Sequence, residues 1–211
     1  VTIDPDCAVG ILEAFAAEHS DFGTAATFYV HMCTPPFRQV KHVEEKLRYL
    51  ADHGYEIGNH TFNHANLAKA GPEEVQAELG RQVKAVQEII PGYEVASFSL
   101  SFGIYPPDRD YLMSGEHKGV TYRHKGIMLV GAEPAPSPYS TAFRPGAVPR
   151  VQARQSELDK WLDFLASYPL HRYVSDGDPD TVTVPAELAG KVDEAALSEA
   201  KLVTYQPEDG N

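Results

Sequence analysis

Two histidines in one short stretch of the sequence have a spacing that could hold a metal ion. His60 and His64 are four residues apart, so both side chains share one face if a helical turn begins at His60. Neutral imidazoles suit zinc, cobalt, nickel or manganese, and zinc is the ion we expect first. A carboxylate is the expected third ligand, with the remaining positions open to water or substrate. The pair therefore predicts a site for one divalent ion.

The spacing of the two histidines is weak support without its context. Nine histidines in 211 residues make a pair at this spacing a common coincidence. Residues 55–59, however, read as a strand, and the histidines follow its carboxyl end, where barrel enzymes place catalytic groups. The alternative is that two polar residues simply cap a loop.

The elements that would position these histidines alternate between helix and strand. Apolar periodicity predicts helices over residues 7–19, 43–54, 72–90 and 158–165. Short apolar runs predict strands over residues 25–30, 55–59, 95–102, 126–131, 172–174 and 181–184. Asp4 and Pro5 predict the N-cap and the first position of the first helix. The alternation predicts an α/β fold whose strands are mostly parallel.

Charge and composition argue against several classes of partner. Thirty acidic against eighteen basic residues give a formal charge of -12, which repels nucleic acid and anionic membranes. No apolar run approaches the ~20 residues of a membrane span. Cys7 and Cys33 match no zinc or redox spacing, and their pairing is left open. The sequence has neither a phosphate-binding glycine motif nor Gly-x-Ser-x-Gly.

Two stretches around the histidines carry a family resemblance. Residues 24–30 read TAATFYV and residues 54–64 read GYEIGNHTFNH, with Asn66 and Leu67 just beyond. These stretches closely resemble the polysaccharide deacetylase family, the NodB-homology domain of family 4 carbohydrate esterases. The family motif His-Ser/Thr-x-x-His, preceded by Gly-x-Glu-Ile/Leu, is specific in that setting. The resemblance is good over about residues 9–103 and loose beyond them.

The resemblance implies both a fold and an activity. The implied fold is a distorted (β/α) barrel of mostly parallel strands, and the length predicts one domain over residues 1–211. The implied metal site is formed by His60, His64 and an aspartate, and the implied activity is removal of N-acetyl groups from a glycan that contains N-acetylglucosamine. A substrate of this kind implies an extracellular or cell-envelope location.

The sequence departs from the family pattern at its first motif. The family has a strand ending in Asp-Asp-Gly, whose first aspartate is the general base and whose second is the metal ligand. No Asp-Asp-Gly occurs in this sequence. Residues 1–6 contain Asp4 and Asp6, but the Asp-Pro order favours a helix start over a catalytic strand. We therefore expect that the first strand is missing from this sequence.

Later motifs of the family are also incomplete. Residues 99–103, SLSFG, align with the family's Arg-x-Pro-Phe/Tyr-Gly, so the arginine that orients the base is absent. The backbone amide of Phe102 remains a candidate donor to the oxyanion. The late Leu-x-His motif, which supplies the general acid, is not found. Leu170-His171 has the wrong spacing, and His124 is better explained as an ordinary surface or core histidine.

Two functions are therefore compatible with the sequence. The first is a metal-dependent hydrolase that deacetylates a cell-wall or other N-acetylglucosamine-containing glycan. The second is an inactive deacetylase-like domain that binds carbohydrate or takes part in envelope assembly. The missing arginine and general acid favour the second function, whereas the context of His60 and His64 favours the first.

Overall fold

The computed structural model describes residues 2–131 and 133–207, so the two ends of the proposed 1–211 domain lie partly outside it. Short 3₁₀ turns connect many of its elements. The helices are α1 (Ala8–Glu18), α2 (Val43–Asp52), α3 (Pro72–Ile89), α4 (Asp110–Met113) and α5 (Gln155–Ser167). The strands are β1 (Thr27–Val30), β2 (Glu56–Asn59), β3 (Ser97–Ser99), β4 (Ser114–His117), β5 (Val120–Arg123), β6 (Gly126–Met128), β7 (Thr181–Pro185) and β8 (Lys201–Tyr205).

The main sheet has four parallel strands in the order β1-β2-β3-β6. Helix α2 connects β1 to β2, and α3 connects β2 to β3, which is the βα alternation predicted from the sequence. The prediction of an α/β fold with mostly parallel strands is therefore confirmed. Strand β1 is at one edge of this sheet and has a strand partner, β2, on one side only among the described residues.

One face of the sheet is apolar and packs against α3. Ile57, Phe98 and Ile127, from β2, β3 and β6, are at most 2% exposed and belong to the main core cluster. Leu79 and Val83 of α3 pack into the same cluster. Because successive strand residues point to opposite faces, the residues between these apolar ones face the other way. That second face carries the polar residues from which the candidate site is built.

The start of the first helix differs from the prediction. The N-cap is Cys7, whose Sγ accepts a hydrogen bond from the backbone N–H of Gly10 at 3.5 Å. Asp4 instead forms a turn before the helix, because its Oδ1 accepts a hydrogen bond from the N–H of Asp6 at 3.0 Å. The assignment of Asp4 as N-cap and Pro5 as first helical residue is therefore wrong. No strand forms over residues 2–7, and Val1 lies outside the described residues.

The second half of the chain departs further from the sequence-based elements. Strands β4 and β5 form an antiparallel hairpin, and β7 pairs in parallel with β8. The strand predicted over residues 172–174 is absent. The side chain of Arg172 there bonds to Asp21, so this segment is held by a side chain and not by a ladder of backbone bonds.

Two further findings bear on the predictions about partners. Among residues 2–131 and 133–207, no helix combines the length and the apolar character that crossing a membrane requires. Cys7 and Cys33 are both exposed free thiols in the structure.

Candidate active site

His60 follows directly after β2, at the carboxyl edge of the parallel sheet. Its Nδ1 lies 2.8 Å from the carbonyl oxygen of Ser99, at the end of the neighbouring strand β3. A carbonyl only accepts hydrogen bonds, so Nδ1 carries the proton and Nε2 has a free lone pair. Burial lowers the pKa of His60 to about 4, with the bond to Ser99 acting in the opposite direction. His60 is therefore neutral near pH 7, which is the state that ligates metals.

The segment between the two histidines is a tight loop and not a helical turn. Thr61 and His64 both have left-handed backbone conformations, with φ of 58° and 52°. For a β-branched residue such as threonine this conformation is unfavourable, and strain of this kind is found often at functional sites. Thr61 is fully buried, and its Oγ1 accepts a hydrogen bond from the N–H of Ala65 at 2.8 Å.

Residues outside the loop hold it in this shape. The N–H of Thr61 donates to Oδ1 of Asn59 at 3.0 Å, and Asn59 is fully buried. Glu78 of α3 accepts two hydrogen bonds from Asn63, one from the backbone N–H at 2.8 Å and one from Nδ2 at 2.5 Å. The strained loop is thus anchored to both β2 and α3, so the position of His64 is set by the fold.

The two imidazoles lie side by side at this edge. The ring centroids of His60 and His64 are 4.8 Å apart. Burial lowers the pKa of His64, and the charge of His31 lowers it further. The structure therefore brings both sequence-predicted ligands together, although they meet through a strained loop and not through helical spacing.

Phe102, the candidate oxyanion donor, joins the same cluster. It lies beyond β3 in a short 3₁₀ turn, where its own left-handed φ of 58° is non-helical, and the residue is 60% exposed. Its ring centroid is 4.5 Å from that of His64. The backbone of Phe102 thus lies at the carboxyl end of β3, close to His64.

A third histidine, which the sequence analysis did not identify, extends this cluster. His31 comes directly after β1, and its ring centroid is 5.4 Å from that of His64. Its Nδ1 is 3.6 Å from Sγ of Cys33 and 3.4 Å from Oγ1 of Thr34. The signal available in the sequence was its place after the apolar run that became β1. Three consecutive strands of the sheet thus end next to one another in His31, His60 and the segment of Phe102.

The donor set fits part of a metal site. Two neutral imidazoles match the nitrogen ligands of a zinc-type ion, and Nε2 of His60 is free of protein partners among the described residues. Within residues 2–131 and 133–207, however, no group of three or more histidine, cysteine, aspartate or glutamate side chains is arranged to hold a metal. The described residues therefore bring together two candidate ligands, His60 and His64, without a carboxylate to complete a metal site.

The remaining sequence candidates lie elsewhere. His124 is only 2% exposed, and its Nδ1 donates to the carbonyl of Leu112 at 2.7 Å. Asn59 Nδ2 lies 3.4 Å from its Nε2, so His124 is a buried structural histidine with both nitrogens occupied. His171 packs on Phe164, 5.1 Å between ring centroids, as part of the C-terminal half of the chain. Neither residue is in contact with the histidine cluster.

The arrangement is a parallel α/β sheet with the candidate site residues at its carboxyl edge, which is where folds of this class place their ligand sites. Residues 18–119 match the family model described as polysaccharide deacetylase. These residues are therefore similar to the polysaccharide deacetylase family, and the resemblance identified from the motifs is confirmed. The match includes His31, His60, His64 and Phe102.

Several solved structures are similar to parts of the chain. A CE4 family pseudoenzyme from Bacillus anthracis is 22% identical with a TM-score of 0.37, over 48% of this chain and 33% of its own. The peptidoglycan deacetylase PdaC from Bacillus subtilis is 20% identical with a TM-score of 0.39, over 53% and 50%. A family 4 acetyl xylan esterase from Clostridium thermocellum, in complex with cobalt, is 16% identical with a TM-score of 0.43, over 79% and 80%. The chain thus spans about a third of the pseudoenzyme and half of PdaC.

Proposed function

We propose that this domain belongs to a metal-dependent hydrolase that removes N-acetyl groups from an N-acetylglucosamine-containing glycan of the cell wall. The observation that carries the proposal is the pairing of His60 and His64, 4.8 Å apart at the carboxyl edge of a parallel sheet. The match of residues 18–119 to the polysaccharide deacetylase family supports it. A glycan substrate of this kind supports an extracellular or cell-envelope location.

His60 and His64 are the proposed protein ligands of the divalent ion, for which zinc is our first choice and cobalt, nickel and manganese are alternatives. When bound, such an ion polarises a carbonyl group and lowers the pKa of water. The bond from His60 Nδ1 to Ser99 fixes the ring so that Nε2 faces away from the sheet backbone. We propose that the carboxylate ligand and the base are contributed by an Asp-Asp-Gly strand, a motif that this sequence does not contain.

Phe102 is the proposed donor to the oxyanion that develops when the acetyl carbonyl is attacked. Its place directly beyond β3 and its ring contact with His64 support this role. We further propose that the strands of the sheet belong to a distorted (β/α) barrel and that residues 1–211 form one domain. The support for the barrel is the parallel order β1-β2-β3-β6, in which β1 has a strand partner on one side only among the described residues.

A second candidate function is a non-catalytic carbohydrate-binding domain. The observation that favours it is at the third motif, where Ser99 and Ser101 stand in place of the family's arginine and proline. Ser99 is fully buried and its carbonyl bonds to His60, so this chain keeps a residue beside His60 but lacks the guanidinium of the family's arginine. Loss of the group that orients a base would leave binding intact and remove turnover.

Acetate release from N-acetylglucosamine oligomers in the presence of zinc tests the proposal. Residues 1–211 should release little acetate, because general-base catalysis typically contributes about 10²–10⁴-fold. A longer form from the natural gene that includes an Asp-Asp-Gly strand should release acetate, and a His60→Ala, His64→Ala variant of that form should not. Equal release by the variant would contradict the assignment of the site. A longer form with no Asp-Asp-Gly and no turnover would favour the binding function.

A further inference from the structure

A half-buried arginine lies on the same face of the sheet as His60. The guanidinium of Arg150 lies over the ring of Tyr29, 5.3 Å from its centroid. The Tyr29 ring covers Gly58, since a Cβ at Gly58 would be 2.4 Å from Tyr29 Cε1. Alternate residues of a strand share a face, so His60 lies on the face that Tyr29 covers. Arg150 therefore reaches the polar face of the sheet from a loop that follows β6.

The direction of the Arg150 side chain is fixed by its neighbours. Its Nε donates a hydrogen bond to the carbonyl oxygen of Leu129 at 2.7 Å. Its backbone is packed against Gly131, where an added Cβ would be 1.7 Å from the Arg150 carbonyl oxygen. The two terminal nitrogens, Nη1 and Nη2, have no hydrogen-bond acceptor among residues 2–131 and 133–207.

Arg150 also has no acidic partner within the described part of the chain. The ion pairs there involve other side chains, and no carboxylate is within 4.0 Å of this guanidinium. Burial lowers the pKa of Arg150, and Tyr29 acts in the opposite direction. An arginine keeps its charge at any physiological pH, and among the described residues this half-buried cation is balanced by the Leu129 carbonyl and the Tyr29 ring but by no full negative charge. A bound anion would provide that charge.

A second unsatisfied group lies on the same face. The hydroxyl of Ser99 is fully buried and has no hydrogen-bond partner among residues 2–131 and 133–207, in contrast to that of Ser97, which bonds to Glu56 at 2.7 Å. The backbone carbonyl oxygen of Ser99, in contrast to its hydroxyl, is paired, because it accepts the hydrogen bond from Nδ1 of His60. In the described part of the chain, this face therefore carries two sets of donors without an acceptor, the terminal nitrogens of Arg150 and the hydroxyl of Ser99.

We propose that Arg150 binds a carboxylate on this face, beside His60 and Ser99. A guanidinium with two free nitrogens matches a carboxylate in a two-point geometry. Arg150 would thus bring a positive charge to the polar face where the family motif has an arginine and this chain has Ser99. The carboxylate has two possible sources, the acetate released by the proposed reaction or a carboxylate on the glycan. Only the first source rests on the proposed function.

The test observes the Nε–H resonance of Arg150 by NMR in isotope-labelled protein, with a chelator that carries no carboxylate present to remove metal ions. Sodium acetate and N-acetylmuramic acid, whose lactyl group carries a carboxylate, are the two probes for the two sources. N-acetylglucosamine and sodium chloride at matched ionic strength are the controls without a carboxylate. We expect a saturable shift with at least one carboxylate probe, and the probe that binds identifies the source. The measurement needs neither metal nor turnover, so its failure is distinct from failure of the proposed function.

Variants decide whether Arg150 is responsible, with carboxylate binding followed by shifts of backbone amides in the site. Loss of a charged hydrogen-bond donor should weaken binding about tenfold or more in Arg150→Gln. Arg109→Gln is the matched control, because Arg109 also lies over a tyrosine, 3.9 Å from the ring of Tyr105, but in another part of the chain. If Arg150→Gln does not fold, Arg150→Lys keeps the charge without the two-point geometry and should still weaken binding several-fold. Equal affinity in the folded Arg150 variant and Arg109→Gln, or binding no stronger than that of chloride, would overturn the proposal.

Discussion

His60 donates a hydrogen bond from Nδ1 to the carbonyl oxygen of Ser99 at 2.8 Å, and this bond joins the ends of β2 and β3. It determines which nitrogen of His60 carries the proton, so Nε2 remains available as a ligand. The same backbone segment leads into Phe102, which contacts His64. The neighbouring strands β2 and β3 therefore hold His60, His64 and Phe102 together in the candidate site.

The first prediction is that His60 is the Nδ1-protonated tautomer at neutral pH. The carbonyl of Ser99 can only accept, and burial disfavours the charged ring. Long-range proton-nitrogen NMR correlations should show the proton on Nδ1 at pH 7. The exposed His42 is a suitable reference in the same spectrum. A proton on Nε2 of His60 would contradict the assignment.

The second prediction concerns pH and the buried His124. Its pKa is lowered to about 4 by burial, whereas in the unfolded chain it titrates near 6.5. Between these two pH values the unfolded state binds more protons than the folded state. The contribution of neutral His124 to stability is therefore complete above pH ~6.5 and is lost as the pH falls toward ~4. The loss is roughly 3 kcal/mol at most. The free energy of unfolding, measured with urea across this pH range, should change less with pH in His124→Gln than in the wild type. Equal pH dependence in the two proteins would refute this prediction.

The third prediction tests the anchor of the strained loop. Glu78→Ala should lower the free energy of unfolding by about 1–3 kcal/mol, because two donors of Asn63 lose their acceptor. Glu88→Ala is the matched control, since Glu88 is also on α3 but is exposed and 3.9 Å from Lys84. Its change should stay within about 0.5 kcal/mol. Similar losses in both variants, measured by urea unfolding, would argue against a special role for Glu78.

The fourth prediction concerns Gly131, which lies against the backbone of Arg150. Gly131→Ala should move this backbone, because the added Cβ would be 1.7 Å from the Arg150 carbonyl oxygen. We expect a loss of about 1–3 kcal/mol in the free energy of unfolding, as for other overpacked sites. Gly146→Ala is the control, because a Cβ there meets no atom within 4 Å. A fully stable Gly131→Ala protein would show that the contact relaxes easily.

The sequence was most informative where the interactions are local. The apolar runs and helical spacing that define β1, β2 and α3 lie within short windows, and the histidines follow one of those strands directly. The start of α1 was misassigned because Asp-Pro is a strong cap signal, while the side chain that caps the helix is the less usual Cys7.

The parts of the site that were not predicted depend on contacts between distant segments. His31 is 33 residues from His64, and the two meet only because β1 and β2 are neighbours in the sheet. Arg150 directly follows residues 133–149, an irregular stretch with five prolines and no local signal for a site, and it reaches the site through its contacts with Leu129 and Tyr29. Residues 172–174 looked like a strand, but the structure gives them no strand partner among the described residues.

The most direct test of the central claim is calorimetric titration of the protein with zinc. We predict that wild-type protein binds about one ion, and that His60→Ala, His64→Ala lowers the affinity at least about tenfold, since each ligand lost removes a metal bond. The control is His42→Ala, His53→Ala, which removes two exposed histidines at the ends of α2 and should bind like the wild type. Equal affinity of the wild type and the His60, His64 double variant would contradict the assignment of these residues as metal ligands.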